Sequence, residues 1–230
     1  MPAPPNGISE PERHEQHQSA SVLQTRKYPI LCRVTCEYLR VGTLVTIPKP
    51  KETAMSAARH PRPPHLVGVP LEEIMKRYTG RFKEKKPDWN AFEDAKIEGW
   101  KRAQHRFIGA GGSGKHDDPT VIPAGNFTLS IMYVEPGQGN APHTHEVEEL
   151  FFVLQGFLDV FVEDEQGNRL TTRLGPWECV SCPAGIIHGY DNNSLEPVYF
   201  QVMLGRGRPE TMGYADEDLY KRRDAHLKSA

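Results

Sequence analysis

The sequence predicts a mainly β protein: an all-β sandwich or barrel, preceded by an extension of β segments and helices and followed by a short helix. Three observations carry this. After Ala124, short β-rich runs alternate with Gly, Pro and Asn. No helical periodicity separates them, which is the spacing of a sandwich or barrel. The hydrophobic content is 37%, enough for a folded core with polar sequence left over for an extension.

Taken in order, residues 1–20 read as a mobile polar tail. Residues 21–118 form the extension. It opens on "YPILCRVTCEYLRVGTLVTI" (28–47), rich in β-formers and read as two short strands. A Pro-rich passage follows as a connector; its "PRPP" is read as linker rather than as a ligand for an SH3-like groove. "LEEIMKRY" (71–78) places Leu71, Ile74 and Met75 on one side of a helix. A second helix is expected from Asp88, as N-cap, to Arg102, with Gly99 weakening its far end. Residues 119–208 form the β domain, with strands at "NFTLSIMYV", "ELFFVLQG", "FLDVFVED", "RLTTRL", "ECVSCPAG" and "PVYFQVML". "LFFVL" (150–154) is apolar on both faces, so both faces are expected to be covered, by the 28–47 segments and by a second subunit. Residues 209–230 close the chain with a charged helix at "DEDLYKRRDAHL".

Charge and composition exclude several classes. The formal net charge is −2, so no basic field argues for nucleic acid. No apolar run reaches the roughly 18 residues a membrane span needs. The N-terminus lacks an apolar signal core, which points to a cytoplasmic protein. The four cysteines, Cys32, Cys36, Cys179 and Cys182, are too sparse for a disulfide framework. Cys179 and Cys182 stand in C-x-x-C spacing on an expected strand, with side chains on opposite faces, and all four are read as buried apolar cysteines. His14 and His17 belong to the polar tail.

"GAGGSGKHDD" (109–118) satisfies parts of two phosphate-binding templates. Both templates need a helix opening directly after the glycines, whose amides and dipole hold the phosphate. Here acids, prolines and a further glycine follow within "KHDDPTVIPAG", and His116 replaces the Ser or Thr that would hold magnesium. Nucleotide binding is set aside. The loop is read as a connector, with the border of a binding mouth as the second reading.

The chemistry lies in "PGQGNAPHTHEVEELFFVLQG" (136–156). His143, His145 and Glu149 share parity, so on an extended chain their side chains converge. Imidazoles with one carboxylate suit iron, manganese, nickel, copper or zinc. Glu148 has the opposite parity and is expected at solvent or an interface. In "CPAGIIHGYDNN", Pro183 and Gly185 make a turn and His188 follows; beside the first strand it closes a site of three His and one Glu. Phe151 and Val153 share parity with Glu149 and are expected to wall the pocket. Tyr133, Tyr190, Tyr199 and Gln201 lie on or beside strands and are read as core before any catalytic role.

These two stretches resemble the cupin motifs. The first has Pro136-Gly137, His143-Thr144-His145, Glu149 and Gly156 at the expected spacings; the second has Pro183-Ala184-Gly185, His188 and Asn192. One departure is Trp177, where a glycine usually precedes the proline by six residues. The resemblance spans roughly residues 120–205. It implies a jelly-roll barrel. It also implies one divalent metal per chain on His143, His145, Glu149 and His188, with Fe(II) favoured and Mn, Ni or Zn as the other choices. A homodimer is expected, since cupins commonly pair and edge strands invite pairing. The leading expectation is a mononuclear non-haem dioxygenase acting on a small aromatic or keto/enol substrate. A metal-dependent isomerase or lyase, and a non-catalytic small-molecule sensor, are the alternatives, because fold likeness does not choose a reaction.

Overall fold

The computed structural model describes residues 60–228. The expected tail, the 28–47 strands, His14, His17, Cys32 and Cys36 lie outside the described residues. Helix α1 (Leu71–Arg77) forms where the sequence places it. Glu72 and Glu73 sit in its first turn and Lys76 and Arg77 in its last, charges that complement the helix dipole. Leu71 and Met75 of its apolar side remain exposed.

Among the described residues ten strands follow: β1 (Ala103–Ile108), β2 (Thr128–Val134), β3 (His143–Thr144), β4 (Glu149–Gln155), β5 (Leu158–Glu163), β6 (Arg169–Leu174), β7 (Cys179–Cys182), β8 (Ile187–Asp191), β9 (Val198–Leu204) and β10 (Gly213–Tyr214). They make two antiparallel five-stranded sheets, in the orders β1-β2-β9-β4-β7 and β10-β3-β8-β5-β6. The interleaved strand order is that of a jelly roll. Helix α2 (Glu217–Lys221), capped by the Asp216 side chain accepting from the Leu219 N–H, and a 3-10 turn (Ala225–Lys228) form the expected charged C-terminal helix.

Alternation builds the core. Thr128, Ser130, Met132 and Val134 of β2 and Glu149, Phe151 and Val153 of β4 are buried, with half-buried residues between them. Phe151, Tyr190 and Phe200 pack edge to face at 4.8–5.7 Å between ring centroids. Each fully buried side chain of this size contributes about 1.5–3 kcal/mol. This aromatic floor fixes the strands that carry the candidate site.

Two expectations need correction. The helix over 88–102 does not form; the segment holds only a 3-10 turn, Asp94–Lys96. Asp88 forms an isolated bridge with Gln104 instead of capping a helix, and Asp94 is drawn into the interior by Arg102, Tyr214 and the Ala141 amide. Tertiary hydrogen bonding here overrides helix propensity. Secondly, β1 lies within the stretch assigned to the extension, yet it pairs with β2 as an edge of the first sheet. Within the single chain, Leu150, Phe152 and Leu154 on the second face of β4 are half-buried. Phe152 meets Trp177 edge-on at 6.2 Å.

Trp177 also explains the missing glycine. Its φ is +72°, the left-handed region that glycine usually serves. The turn therefore survives, with its amide bonded to the Val153 carbonyl at 2.9 Å, and the chain carries the strain on an exposed tryptophan.

Candidate metal centre

The four candidate ligands are brought together from both sheets. His143 on β3 stands directly across from His188 on β8. Glu149 opens β4 in the opposite sheet, paired with Cys182 and Leu204. His145 lies in the crossing between β3 and β4. The residues converge as expected, but not along one extended strand: the chain passes from one sheet to the other between His143 and Glu149, and the facing sheets bring the side chains together. All four are buried, and one ligand atom of each lies within 4.8 Å of every other.

Glu149 is the hub. Its Oε2 is 2.8 Å from His188 Nε2, 3.4 Å from His143 Nε2 and 3.5 Å from His145 Nε2. Burial opposes its charge, but the three imidazoles hold the carboxyl well below the usual carboxylate range. Burial lowers His143 and pushes His145 down to about 4, so both are neutral near pH 7. Burial also pulls on His188, but its hydrogen bond to Glu149 outweighs that and raises it. The far nitrogens set the aim: His143 Nδ1–H donates to the Ala141 carbonyl at 3.0 Å and His188 Nδ1–H to the Ile186 carbonyl at 2.7 Å. Each bond turns Nε2 toward the cluster, the usual second contact of a metal-ligating histidine.

The donor set fits a divalent ion. Around an ion with bonds of about 2.1 Å, neighbouring ligand atoms lie roughly 3–4 Å apart, close to the spacing found. Both nitrogens of His145 are buried without a hydrogen-bond partner. An orphaned imidazole facing a carboxylate and two further imidazole nitrogens is costly without an ion to satisfy it. Four ligands leave two positions of an octahedral ion open.

A cavity of about 20 Å³ adjoins the cluster, lined by His143, Glu149, Phe151 and Tyr190 together with Arg102 and Gln104. It has room for about one water-sized group. Gly111 and Gly112 and the nearby Met212 close it. The glycine loop is thus no plain connector: Gly111, Gly112 and Ser113 are buried, and a Cβ on Gly112 would lie 2.8 Å from His145 Cε1. No α-helix opens directly after its glycines; the next element is β2. His226 Nε2 donates to the Ser113 carbonyl at 2.7 Å, tying the C-terminal turn to the loop. A cavity of about 970 Å³ lies between α1 and residues 116–124 and contains none of the four candidate ligands.

Of the other residues singled out, Phe151 walls the cavity, whereas Val153 is core beyond it. Tyr190 lines the cavity, and burial raises its hydroxyl above the ordinary tyrosine value, so it stays protonated. Tyr133 and Tyr199 pack on each other and on Trp89 and Phe82, away from the cluster. Glu148 is exposed as expected and accepts from the Ser181 hydroxyl. Cys182 is buried beside Glu149, and burial pushes its thiol up to about 12. Cys179 is exposed, against the expectation, because the two cysteines do take opposite faces of an edge strand. Arg102 and Gln104 were not foreseen. Their alternation around Ala103 was a strand signal obscured by the helix expected to run up to Arg102.

A two-sheet jelly roll with three imidazoles and a carboxylate converging in its interior defines a β protein with a candidate metal site. Residues 130–204 match the cupin domain family, which marks this part of the chain as a cupin domain. No curated protein matches the chain. Among solved structures it is similar to the polyketide cyclase RemF from Streptomyces resistomycificus, at 22% identity, covering 62% of this chain and 89% of that one with a TM-score of 0.45. It is also similar to the oxalate decarboxylase of Lactobacillus farciminis in its formate complex, at 17% identity, covering 64% and 38% with a TM-score of 0.45. A cupin 2 domain-containing protein from Halorhodospira halophila is 18% identical, with coverages of 56% and 82% and a TM-score of 0.41. None of these likenesses assigns an activity to this chain. Among the described residues no helix is long and apolar enough to cross a membrane.

Proposed function

We propose that the chain is a mononuclear non-haem metal-dependent enzyme, a dioxygenase using Fe(II) on a small aromatic or keto/enol compound. The observation that supports it is the buried cluster of His143, His145, Glu149 and His188, with the His145 nitrogens unsatisfied. Three neutral imidazoles and one carboxylate leave a divalent site with a net charge near +1, suited to an anionic oxygen ligand. Bound there, the ion would supply adjacent open positions for substrate and oxygen and electron transfer between them. The protein's own part is distinct. Phe151, Met132 and Val202 offer an apolar wall, Tyr190 holds a proton inside the cavity, and Gly111 and Gly112 exclude water. With so small a cavity, an organic substrate enters by displacing the glycine loop.

One observation favours a second reading. A protonated tyrosine beside the cluster is what a metal-dependent isomerase or lyase needs to move a proton. An oxygen electrode separates the two. The Fe(II)-loaded protein, screened with small enolic and phenolic compounds, should consume oxygen in proportion to substrate lost. Turnover under strict anaerobiosis, or with zinc alone, would contradict the dioxygenase and favour the isomerase or lyase. A homodimer is part of this reading, and sedimentation of the full chain as a monomer would remove it.

A further inference from the structure

Two buried polar side chains share the metal cavity without belonging to the ligand cluster. Arg102 and Gln104 are two residues apart on one extended segment leading into β1, so both turn to its inward face. They are 1% and 2% exposed. Each is held firmly, yet neither is fully bonded. Arg102 donates from Nη2 to Asp94 at 2.8 Å and from Nη1 to the Trp100 carbonyl at 3.0 Å; its Nε–H has no hydrogen-bond partner. Gln104 donates from Nε2 to Ser130 Oγ at 3.0 Å and to the Ala110 carbonyl at 3.1 Å; its Oε1 has none.

A buried donor and a buried acceptor, both unmet and both lining one cavity, are the polar groups by which small-molecule sites fix orientation. Their charge decides what they fit. The Arg102 cation is already paired with Asp94, whose carboxylate also accepts from the Tyr214 hydroxyl at 2.9 Å and the Ala141 amide at 2.9 Å. The pair is neutral as a unit, unlike the metal cluster. An anionic group is therefore drawn to the metal, and what suits this pole is a neutral group that accepts one hydrogen bond and donates another. A hydroxyl does both.

We propose that Arg102 Nε–H and Gln104 Oε1 form a hydroxyl-reading pole, which orients a small polyoxygenated ligand whose other oxygens lie on the metal. This rests on the metal-dependent reading above and names its substrate class more closely: a chelating enolate, catecholate or hydroxy acid with a further, neutral hydroxyl. Gln104 is the specificity-determining residue of the pair. Arg102 is also a structural partner of Asp94, which makes its removal uninformative.

The test uses the full chain loaded with Co(II), titrated without oxygen with catechol and with pyrogallol, which adds one hydroxyl. Binding is read from the visible Co(II) spectrum. The wild type should prefer pyrogallol by about 10-fold or more, the discrimination of a site that must satisfy its own buried polar groups. Gln104→Met, which removes the acceptor, should bring the ratio near unity while the ligand-free Co(II) spectrum stays as in the wild type. Gln104→Glu, which keeps an acceptor oxygen, should retain the preference. Equal affinities in the wild type, or an undiminished preference in Gln104→Met, would overturn the pole alone. If Gln104→Met does not fold, the wild-type ratio and Gln104→Glu decide. Failure of the wild type to bind either probe would overturn the proposed use of the metal cavity, and the pole with it.

Discussion

Gly112→Ala is a one-carbon change that reaches the candidate ligand His145. Gly112 has no left-handed φ, so alanine fits its backbone and the perturbation is purely one of space. The added Cβ would stand 2.8 Å from His145 Cε1 and 3.1 Å from Met212 Cγ. Ordinary carbon contacts begin at about 3.5 Å, so the imidazole or the loop must yield roughly 0.7 Å. Metal sites hold their bonds to within about 0.2 Å. If the ring moves, metal affinity should drop about 10- to 100-fold, the scale seen when the support of a ligand is disturbed. Stability should fall by about 1–3 kcal/mol, as in other overpacked interiors. Competition against a chromophoric chelator measures the first effect and thermal melting the second. Gly125→Ala is the control, since nothing lies within 4 Å of its added carbon. A Gly112→Ala protein with wild-type metal affinity would refute the claim that the loop packs on the metal centre.

Other changes bear on separate parts of the structure. Asp94→Ala strands the Arg102 guanidinium, which is 1% exposed, and should cost about 3–5 kcal/mol in denaturant titration; a loss below about 1 kcal/mol would show the pair to be dispensable. Trp177→Gly relieves a left-handed strain of about 1–2 kcal/mol, against about 0.5–1 kcal/mol for glycine's freedom and a lost contact with Phe152. Stability should thus stay within about 1 kcal/mol, and a much larger loss would mean that Trp177 carries more than its turn. Acidification should destabilise the metal-free protein. Burial depresses His145 from 6.5 to about 4, so the unfolded chain takes that proton first; this stability is present above pH 6.5 and lost as pH falls to about 4. Metal affinity should rise with pH, because His188, raised by Glu149 against the pull of burial, must lose its proton to ligate; titrations giving one affinity across the histidine range would contradict this.

The strands of the β domain and the four clustered residues of the candidate site were legible because both rest on local pattern. Alternation in "TLSIMYV" and "ELFFVLQ" survives in the burial of β2 and β4. The HTH and GIIH stretches carry ligand types that a soluble core would seldom bury. What failed depended on partners distant in sequence. Asp94 reads as a residue of a helix until Tyr214, 120 positions away, and Arg102 draw it inside. The glycine loop reads as a connector because its lining of the cavity depends on His145 and Met212. Parity found His143, His145 and Glu149, yet their convergence is a property of two facing sheets that no strand pattern contains. Trp177 broke the motif in letter but kept its backbone, since a rigid scaffold can hold a non-glycine residue in the left-handed region.

The central claim is that His143, His145, Glu149 and His188 hold one divalent metal. Elemental analysis of untagged protein, run beside Glu149→Ala and Glu148→Ala, tests it most directly. The account predicts one metal ion per chain in the wild type, near-complete loss in Glu149→Ala and full retention in Glu148→Ala, whose side chain is exposed and turned to Ser181. Equal loss from both variants, or a wild type that takes up no divalent metal when supplied with it, would contradict the account.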